Sequence, residues 1–358
     1  MDSELDSTAD APSAHRSAMK KSTGRALDAG LTRSNKPTSP GLGHSLISLL
    51  RAREMSVLLA LVLVSVGIAS ATPYFMTTDN LMGVFRSFSL TAIMSIGMVM
   101  VIVTGGIDLS VGSVMGLAGL VTALAFQAGL STPVCVACGL GVGFGFGLIN
   151  GLLVTVGRLP PFIATLGTLS IGRGLMYIVT RGVPVTPDTP DIFNSIGQGY
   201  IGLVPAPVVI MLVLAVFFSV IMAYTTFGRH VYATGGNEQA AWLSGVNTAR
   251  VKLIVYTLSG AISALAGVIA FSRFQSAEPA SGFGVELDVI AAAAIGGASL
   301  AGGVGSVQGA VIGAALTGII ANGVVLMNIN TYAQQAITGA VILIAVSIDV
   351  WRTARKDR

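Results

Sequence analysis

The chain has 358 residues, of which 53% are hydrophobic and only 10% are charged, whereas an average soluble domain has about 25% charged residues. Only 17 of the 36 Lys, Arg, Asp and Glu side chains lie between residues 55 and 349, too few to cover a water-facing globule of that length. This composition excludes a soluble enzyme, a nucleic-acid-binding protein and a disordered chain. It predicts an all-α polytopic membrane protein.

The first 50 residues contain no long apolar run and are rich in Ser, Ala, Thr, Asp and Gly. They predict a disordered cytoplasmic tail, followed by a transmembrane domain over residues 51–358. The first apolar segment comes too late and is too long for a cleavable signal peptide. Basic residues flank the hydrophobic block directly, at Arg51 and Arg53 and again at residues 352–358. Because basic residues mark cytoplasmic ends, we expect both termini in the cytoplasm and an even number of spans.

Ten apolar stretches approach the length of about 20 residues that a span needs. They lie near residues 55–72, 87–104, 109–128, 133–156, 161–180, 205–226, 252–274, 286–300, 304–327 and 331–350. The eighth is short, which indicates a broken or re-entrant segment, and the boundary between the second and third is poorly marked. A range of eight to eleven spans fits the sequence.

The 45 glycines often recur every fourth residue, as at Gly139, Gly143, Gly147 and Gly151. In lipid, small residues at this spacing let helix backbones approach closely, so we predict a tightly packed bundle; flexibility for gating is an alternative for some of them. Residues 105–116 also resemble residues 296–309, which indicates either internal duplication or chance similarity in Gly- and Val-rich sequence.

No constellation of catalytic or metal-binding residues emerges. The three histidines lie in tails and one loop, and Cys135 and Cys138 have no partners for a metal site, so we expect them to be small packed residues. No lysine follows a glycine in a P-loop pattern, so this chain cannot bind ATP through a P-loop. If ATP powers it, another subunit must bind ATP and Mg²⁺.

The polar segment at residues 227–251 predicts a short exposed helix. Asn237 is a good N-cap, Glu238 suits the positive helix start, and Gly245 suits the exit. The helix would expose Ala240, Ala241, Trp242 and Leu243. Such a helix suits docking into a partner's groove, although an interfacial loop anchored by Trp242 is equally consistent with the composition.

This segment resembles the permease subunits of ribose-type sugar ABC importers, within the wider family that includes branched-chain amino-acid permeases. The shared patterns are Ala-Thr-Gly-Gly-Asn-Glu at 233–238, Gly-Gly-Ile-Asp-Leu-Ser-Val-Gly-Ser at 105–113, and Glu-Leu-Asp-x-Ile-Ala-Ala at 286–292 followed by Gly-Gly-x-Ser-Leu-Ala-Gly-Gly at 296–303. The likeness runs from about residue 55 to residue 351.

The resemblance implies a type II importer fold in the bacterial inner membrane. It also implies a second permease copy in a homodimer or heterodimer, cytoplasmic ABC ATPases that bind ATP and Mg²⁺, and a periplasmic or lipid-anchored sugar-binding protein. By this likeness, residues 237–245 are the coupling helix that receives the ATPase stroke, with Asn237, Glu238, Ala241, Trp242, Leu243 and Gly245 as its key residues.

Several polar residues within the apolar block are candidates for the translocation path or its gate. Asp108 lies near a predicted helix start at the membrane edge, where capping is favoured over gating. Arg173 lies well inside a span and needs a partner; either Glu286 or Asp288 could supply it, and we name Asp288. The remaining candidates, which either line a polar path for a hydroxylated solute or bond helices together, are Asn150 and Asn322.

Together these features predict the membrane-spanning subunit of an ATP-driven importer for a monosaccharide such as a ribose-like pentose. Aromatic residues are scarce, so specificity would reside in the external binding protein. A branched-chain amino-acid permease is the nearest alternative. An ion-coupled secondary transporter is another, but it expects carboxylates at mid-membrane, and only Asp108 comes near.

Overall fold

A computed structural model describes residues 53–330 together with residues 336, 339 and 340. In chain order the helices are α1 (Arg53–Ala71), α2 (Thr78–Val103), α3 (Val111–Gln127), α4 (Thr132–Thr155), α5 (Pro161–Thr180), α6 (Asp191–Gln198), α7 (Ala206–Tyr224), α8 (Thr226–Gly236), α9 (Glu238–Leu243), α10 (Thr248–Phe274), α11 (Val285–Ile295) and α12 (Val307–Leu326). A hairpin of two-residue strands, β1 (Tyr200–Ile201) and β2 (Val204–Pro205), separates α6 from α7.

Within this part of the chain, six helices are long and apolar enough to cross a membrane: α2, α4, α5, α7, α10 and α12. Helices α1 and α3 carry shorter apolar stretches. The all-α polytopic prediction is confirmed. Helices α4, α5 and α7 each carry proline in their first turn. The missing N–H of proline costs nothing at that position, so proline favours a helix start there.

Nine of the ten predicted stretches coincide with helices, and the tenth, residues 331–350, lies outside the described residues except for three isolated positions. The eighth is short as predicted, since α11 has 11 residues and extends only about 17 Å. The second differs most: α2 begins at Thr78 rather than near residue 87. Its first turns mix apolar residues with polar ones such as Asp79, Asn80 and Arg86, so they do not form a continuous apolar run.

The centre of the bundle is formed by α2 and α10. Every residue of α2 from Ala92 to Val103 is buried, and α10 packs against α2, α3 and α4. The glycines of α4 allow the close helix packing that their spacing predicts. A methyl group at Gly143, for example, would overlap the Gly260 carbonyl of α10. Close approach of the α4 and α10 backbones therefore depends on small residues on both helices.

The two ends of the bundle differ in structure. At one end, here called the hairpin end, α6 packs against the last turns of α10 through an aromatic cluster of Phe126, Phe193 and Phe271, with ring centroids 4.7–6.3 Å apart. Ser272 reinforces this contact by donating to the Phe193 carbonyl at 2.6 Å. The opposite end, here called the α9 end, carries α8, α9 and the start of α10.

Candidate functional site

Helix α9 is a short helix with a defined cap at each end. The Asn237 side chain accepts from the Ala240 amide at 2.9 Å, which satisfies one of the helix's free N–H groups. At the other end Gly245 has φ +87°, a conformation that favours glycine, and the Val246 amide bonds back to the Ala241 carbonyl at 3.0 Å. Both predicted caps are confirmed.

The exposed surface of α9 is narrower than the sequence predicts. Trp242 is 65% exposed and Leu243 is 72% exposed, so two large apolar side chains point away from the described protein. Ala241, predicted to be exposed, is buried, with 6% of its surface accessible. The large exposed apolar residues of α9 are therefore Trp242 and Leu243, and Ala241 packs within the protein.

An ion pair joins α9 to the central helix α10. Glu238, in the first turn of α9, lies 2.6 Å from Lys252 of α10. Just after α9, Asn247 caps α10 by accepting from the Arg250 amide at 2.9 Å. Helix α10 then continues for 27 residues, about 40 Å, to the hairpin end.

Helix α8, which leads directly into α9, meets the end of α2 at a backbone junction, which we call the glycine junction. Helix α8, which the sequence analysis did not predict, ends at Gly235 and Gly236 immediately before Asn237. A methyl group at Gly235 would overlap the carbonyl oxygen of Val103, the last residue of α2. That same oxygen accepts from the Gly303 amide at 2.9 Å. The chain leading into α9, the end of α2 and the α11–α12 connection thus touch backbone to backbone.

Asp108 lies deep inside the bundle rather than at the predicted membrane edge. Its carboxylate is 1% exposed and accepts from the Ser110 amide at 3.0 Å, the Ser110 hydroxyl at 2.6 Å and the Ser259 hydroxyl at 3.1 Å. Ser259 stands near the midpoint of α10. Asp108 therefore binds the turn before α3 rather than capping α3 itself, whose N-cap position is Ser110. In the connection between α2 and α3, Gly106, Asp108 and Ser110 are buried and Gly105 is exposed.

Asn150 extends this network to two further helices. It donates to the Ser110 hydroxyl at 2.8 Å and accepts from the Thr168 hydroxyl at 2.7 Å, and it is fully buried. The network thus joins α3, α4, α5 and α10 through satisfied hydrogen bonds. Of the two roles left open for Asn150, the geometry supports bonding between helices.

Arg173 on α5 holds the segment between α10 and α11. Its guanidinium donates to the Ser281 carbonyl at 2.7 Å and to the Gly282 carbonyl, and it lies 3.6 Å from the Glu286 carboxylate. The carboxylate brought to Arg173 is therefore that of Glu286, and the choice of Asp288 was wrong. The two acidic residues are two positions apart on α11, so they point to different sides of the helix.

Asp288 instead lines a cavity of about 530 Å³ at the hairpin end, together with Asn322. Asn322 and Asn80 exchange side-chain hydrogen bonds at 2.8 and 3.1 Å, which link α12 to α2. Other polar residues of this wall are Asp79, Ser87, Thr91, Arg273 and Thr317. Asp79 and Asn80 were not predicted, because the second span was expected to begin near residue 87 and α2 begins at Thr78. Arg273, a charge at the end of an apolar stretch, is a sequence signal that could have indicated a polar site here.

A bundle of long apolar helices with a polar cavity at one end fits a multi-pass membrane transport protein. The chain belongs to the family described as the permease component of the branched-chain amino acid transport system, whose model matches residues 80–346.

Named relatives cover nearly the same region. The chain is 40% identical over 299 residues to the ribose import permease protein RbsC of Escherichia coli (strain K12), which covers 83% of this chain and 93% of the relative. It is 39% identical over 303 residues to the ribose import permease protein RbsC of Bacillus subtilis (strain 168), covering 84% and 94%. It is 36% identical over 303 residues to the L-arabinose transport system permease protein AraH of Escherichia coli (strain K12), covering 85% and 92%. No solved structure matches the chain.

Proposed function

We propose that this protein is the membrane-spanning permease subunit of an ATP-driven importer for a monosaccharide of the ribose or arabinose type. The observation that carries the proposal is α9, an isolated capped helix that presents Trp242 and Leu243 and is fastened to α10 and α2. An exposed pair of large apolar residues on a rigid helix suits docking into a groove of a partner protein.

Sugar is favoured over a branched-chain amino acid because the named relatives at 36–40% identity import ribose or L-arabinose. The broad family description covers the amino-acid alternative, but the three relatives described above, each matching 83–85% of the chain, are named as ribose or L-arabinose permeases. Specificity for one sugar is assigned to an external binding protein, since the spans contain few aromatic residues that could form a tight sugar site.

The energy source in this proposal is a separate cytoplasmic ATPase. The sequence has no P-loop, so ATP and Mg²⁺ bind the partner and not this chain. The α9 end and both termini then face the cytoplasm, and the hairpin end faces the binding protein. Two permease copies, identical or different, complete the membrane unit in the bacterial inner membrane.

The described conformation is open at the hairpin end and closed at the α9 end. The cavity reaches Thr91 on α2, and beyond it α2 is buried without interruption from Ala92 to Val103. In the proposed mechanism, ATP binding by the partner moves α9, and the glycine junction and α10 pass that movement to the buried half of α2. Alternating access is then a shift between this state and a second state that is closed at the hairpin end and open at the α9 end.

The test is uptake by proteoliposomes that contain this permease, its ATPase and its binding protein. We expect accumulation of labelled D-ribose or L-arabinose with ATP at the ATPase side, and none when ATP is omitted while an ion gradient is imposed. Accumulation driven by the ion gradient without ATP would replace the proposal with a secondary transporter. ATP-dependent uptake of leucine but not of either sugar would replace the substrate class.

A further inference from the structure

We infer that the cavity at the hairpin end is a binding site of this protomer for a neutral, polyhydroxylated solute in transit. The inference rests on the proposed function and deepens it, because it assigns the permease itself a solute site and names the residues that form it. It stands on the shape of the cavity, on the distribution of polar groups along its walls, and on where it ends.

The cavity is a cleft between two helix faces rather than a surface dent. On α2 its lining residues recur at helical spacing from Asp79 to Thr91, which places Thr91 about 18 Å along the helix from the mouth. On α12 the lining runs from Thr317 to Val325. A volume of about 530 Å³ is within the range of small-molecule sites and leaves room for a sugar with some of its water.

The polar groups surround the cleft instead of clustering at one point. Asp79 and Asp288 supply carboxylates, Arg273 supplies a guanidinium, and the Asn80–Asn322 pair supplies amides that both donate and accept. The hydroxyls of the wall are those of Ser87, Thr91 and Thr317. Arg273 is directed into the cleft, since it contacts the Ser87 hydroxyl at 3.3 Å.

This distribution fits a solute that is polar on all sides. Each sugar hydroxyl both donates and accepts, so it can pair with carboxylates, amides and a guanidinium alike. Among the described residues of the wall, two carboxylates and one guanidinium leave an excess of negative charge, which disfavours an anion. A branched-chain amino acid would need one anchor for each charged end and an apolar pocket for its side chain, but the apolar lining, such as Val84 and Phe88, is interspersed with polar residues.

The first part of the test is protection of a cysteine inside the cleft. A Ser87→Cys permease, with Cys135 and Cys138 replaced by alanine, is assembled with its ATPase and treated with a small maleimide. We expect D-ribose to slow the labelling in a saturable way and L-leucine to have no effect. Ser195→Cys, at an exposed position of α6 at the hairpin end and outside the cleft, is the matched position and should be labelled at the same rate with or without ribose.

The second part asks whether the cleft's own groups hold the solute. Thr91→Val removes a hydroxyl at the floor without changing the volume, and we expect it to raise the half-protecting ribose concentration about 3- to 10-fold, the loss of one hydrogen bond. Thr155→Val, which removes a hydroxyl bonded only within α4, should leave that concentration unchanged.

Each result decides the inference. Saturable protection by ribose that Thr91→Val weakens supports it. Absence of protection by any sugar overturns the site, and protection by leucine but not ribose overturns the solute class. The proteoliposome uptake assay separates these failures from failure of the proposed function: sugar uptake driven by ATP without protection at Ser87→Cys would leave the importer intact and place its solute path elsewhere.

Discussion

At the scale of single residues, Asn150 is a structural hub, because its one amide joins hydroxyls on two other segments, Ser110 and Thr168. Asn150→Ala would leave both hydroxyls without this partner in a fully buried site, which costs about 1–3 kcal/mol. We expect a clearly lower thermal unfolding midpoint for the purified permease in detergent.

Ser170→Ala is the control for this measurement, since the Ser170 hydroxyl is exposed and bonds only to its own helix at the Leu166 carbonyl. It should change the unfolding midpoint little. Equal midpoints for Asn150→Ala and Ser170→Ala would mean that the buried network does not stabilise the fold.

Arg173 and Glu286 should behave as a coupled pair in a double-mutant cycle. Arg173→Gln is expected to destabilise more than Glu286→Gln, because Arg173 also holds the Ser281 and Gly282 carbonyls. With both changes, the loss in unfolding free energy should be smaller than the sum of the single losses, since removing one partner strands the other charge in a partly buried site.

Asp288 provides the comparison for this cycle. Asp288 lines the cavity and is not the carboxylate beside Arg173. The losses in unfolding free energy caused by Arg173→Gln and by Asp288→Asn should therefore be additive. If Arg173→Gln were additive with Glu286→Gln but coupled to Asp288→Asn, the Arg173–Glu286 pair would be contradicted. The result would favour the Arg173–Asp288 pair that the sequence analysis named.

These residues show what the sequence could and could not predict. The cap at Asn237 follows from local chemistry, since a cap bonds within three residues. The partner of Arg173 depends on how the segment between α10 and α11 enters the bundle, which no local pattern encodes. The sequence placed Asp108 in the turn before a helix but did not reveal that it is buried. Apolar residues flank such a turn in the same way whether it lies at the membrane edge or inside the bundle.

At the scale of elements, the glycine junction makes a sharp prediction. Gly235→Ala should leave assembly with the ATPase and ATP hydrolysis largely intact but reduce sugar uptake per ATP, because the added methyl forces α8 away from the Val103 carbonyl and separates α9 from α2. The measurement is the ratio of uptake to ATP hydrolysis in proteoliposomes.

The neighbouring glycine is the matched control. A methyl group at Gly236 would meet nothing within 4 Å, so Gly236→Ala should keep the wild-type ratio of uptake to hydrolysis. Loss of coupling in both variants would indicate a general need for helix flexibility at this point, and loss in neither would remove the junction from the transmission path.

Helix α9 itself should depend on its two exposed apolar residues. Trp242→Ala with Leu243→Ala should weaken capture of the ATPase by at least about tenfold, as expected for truncation of buried anchors in an interface. Gln239→Ala, a change on the same helix at another exposed position, should have a small effect. Undiminished ATPase binding by the Trp242/Leu243 variant would show that the partner docks elsewhere.

The helices were largely predictable because their apolar runs are long and their ends carry Pro, Gly or Asn signals. Helix α8 was missed because its composition is that of a loop, and α6 because it lies in a polar connection whose only strong signal is the buried Phe193. Both elements pack against α10 and α7, which is information outside their own sequences.

At the scale of the whole molecule, two interruptions between helices meet. The connection after α2 and the connection between α11 and α12 contact each other at Gly105 and Gly302, and these are the two segments whose sequences resemble one another. A helix interrupted at such a point can move its two halves separately, which is what a path that opens first at one end and then at the other requires.

The most direct test is to determine which side of the membrane α9 faces. Leu243→Cys, in a chain with Cys135 and Cys138 replaced by alanine, is treated with a membrane-impermeant maleimide in intact cells and in inverted membrane vesicles. The account predicts labelling only in inverted vesicles, and loss of that labelling when the purified ATPase is added. Labelling in intact cells, or labelling that the ATPase does not affect, would contradict the claim that the driving force reaches this protein through α9 from the cytoplasm.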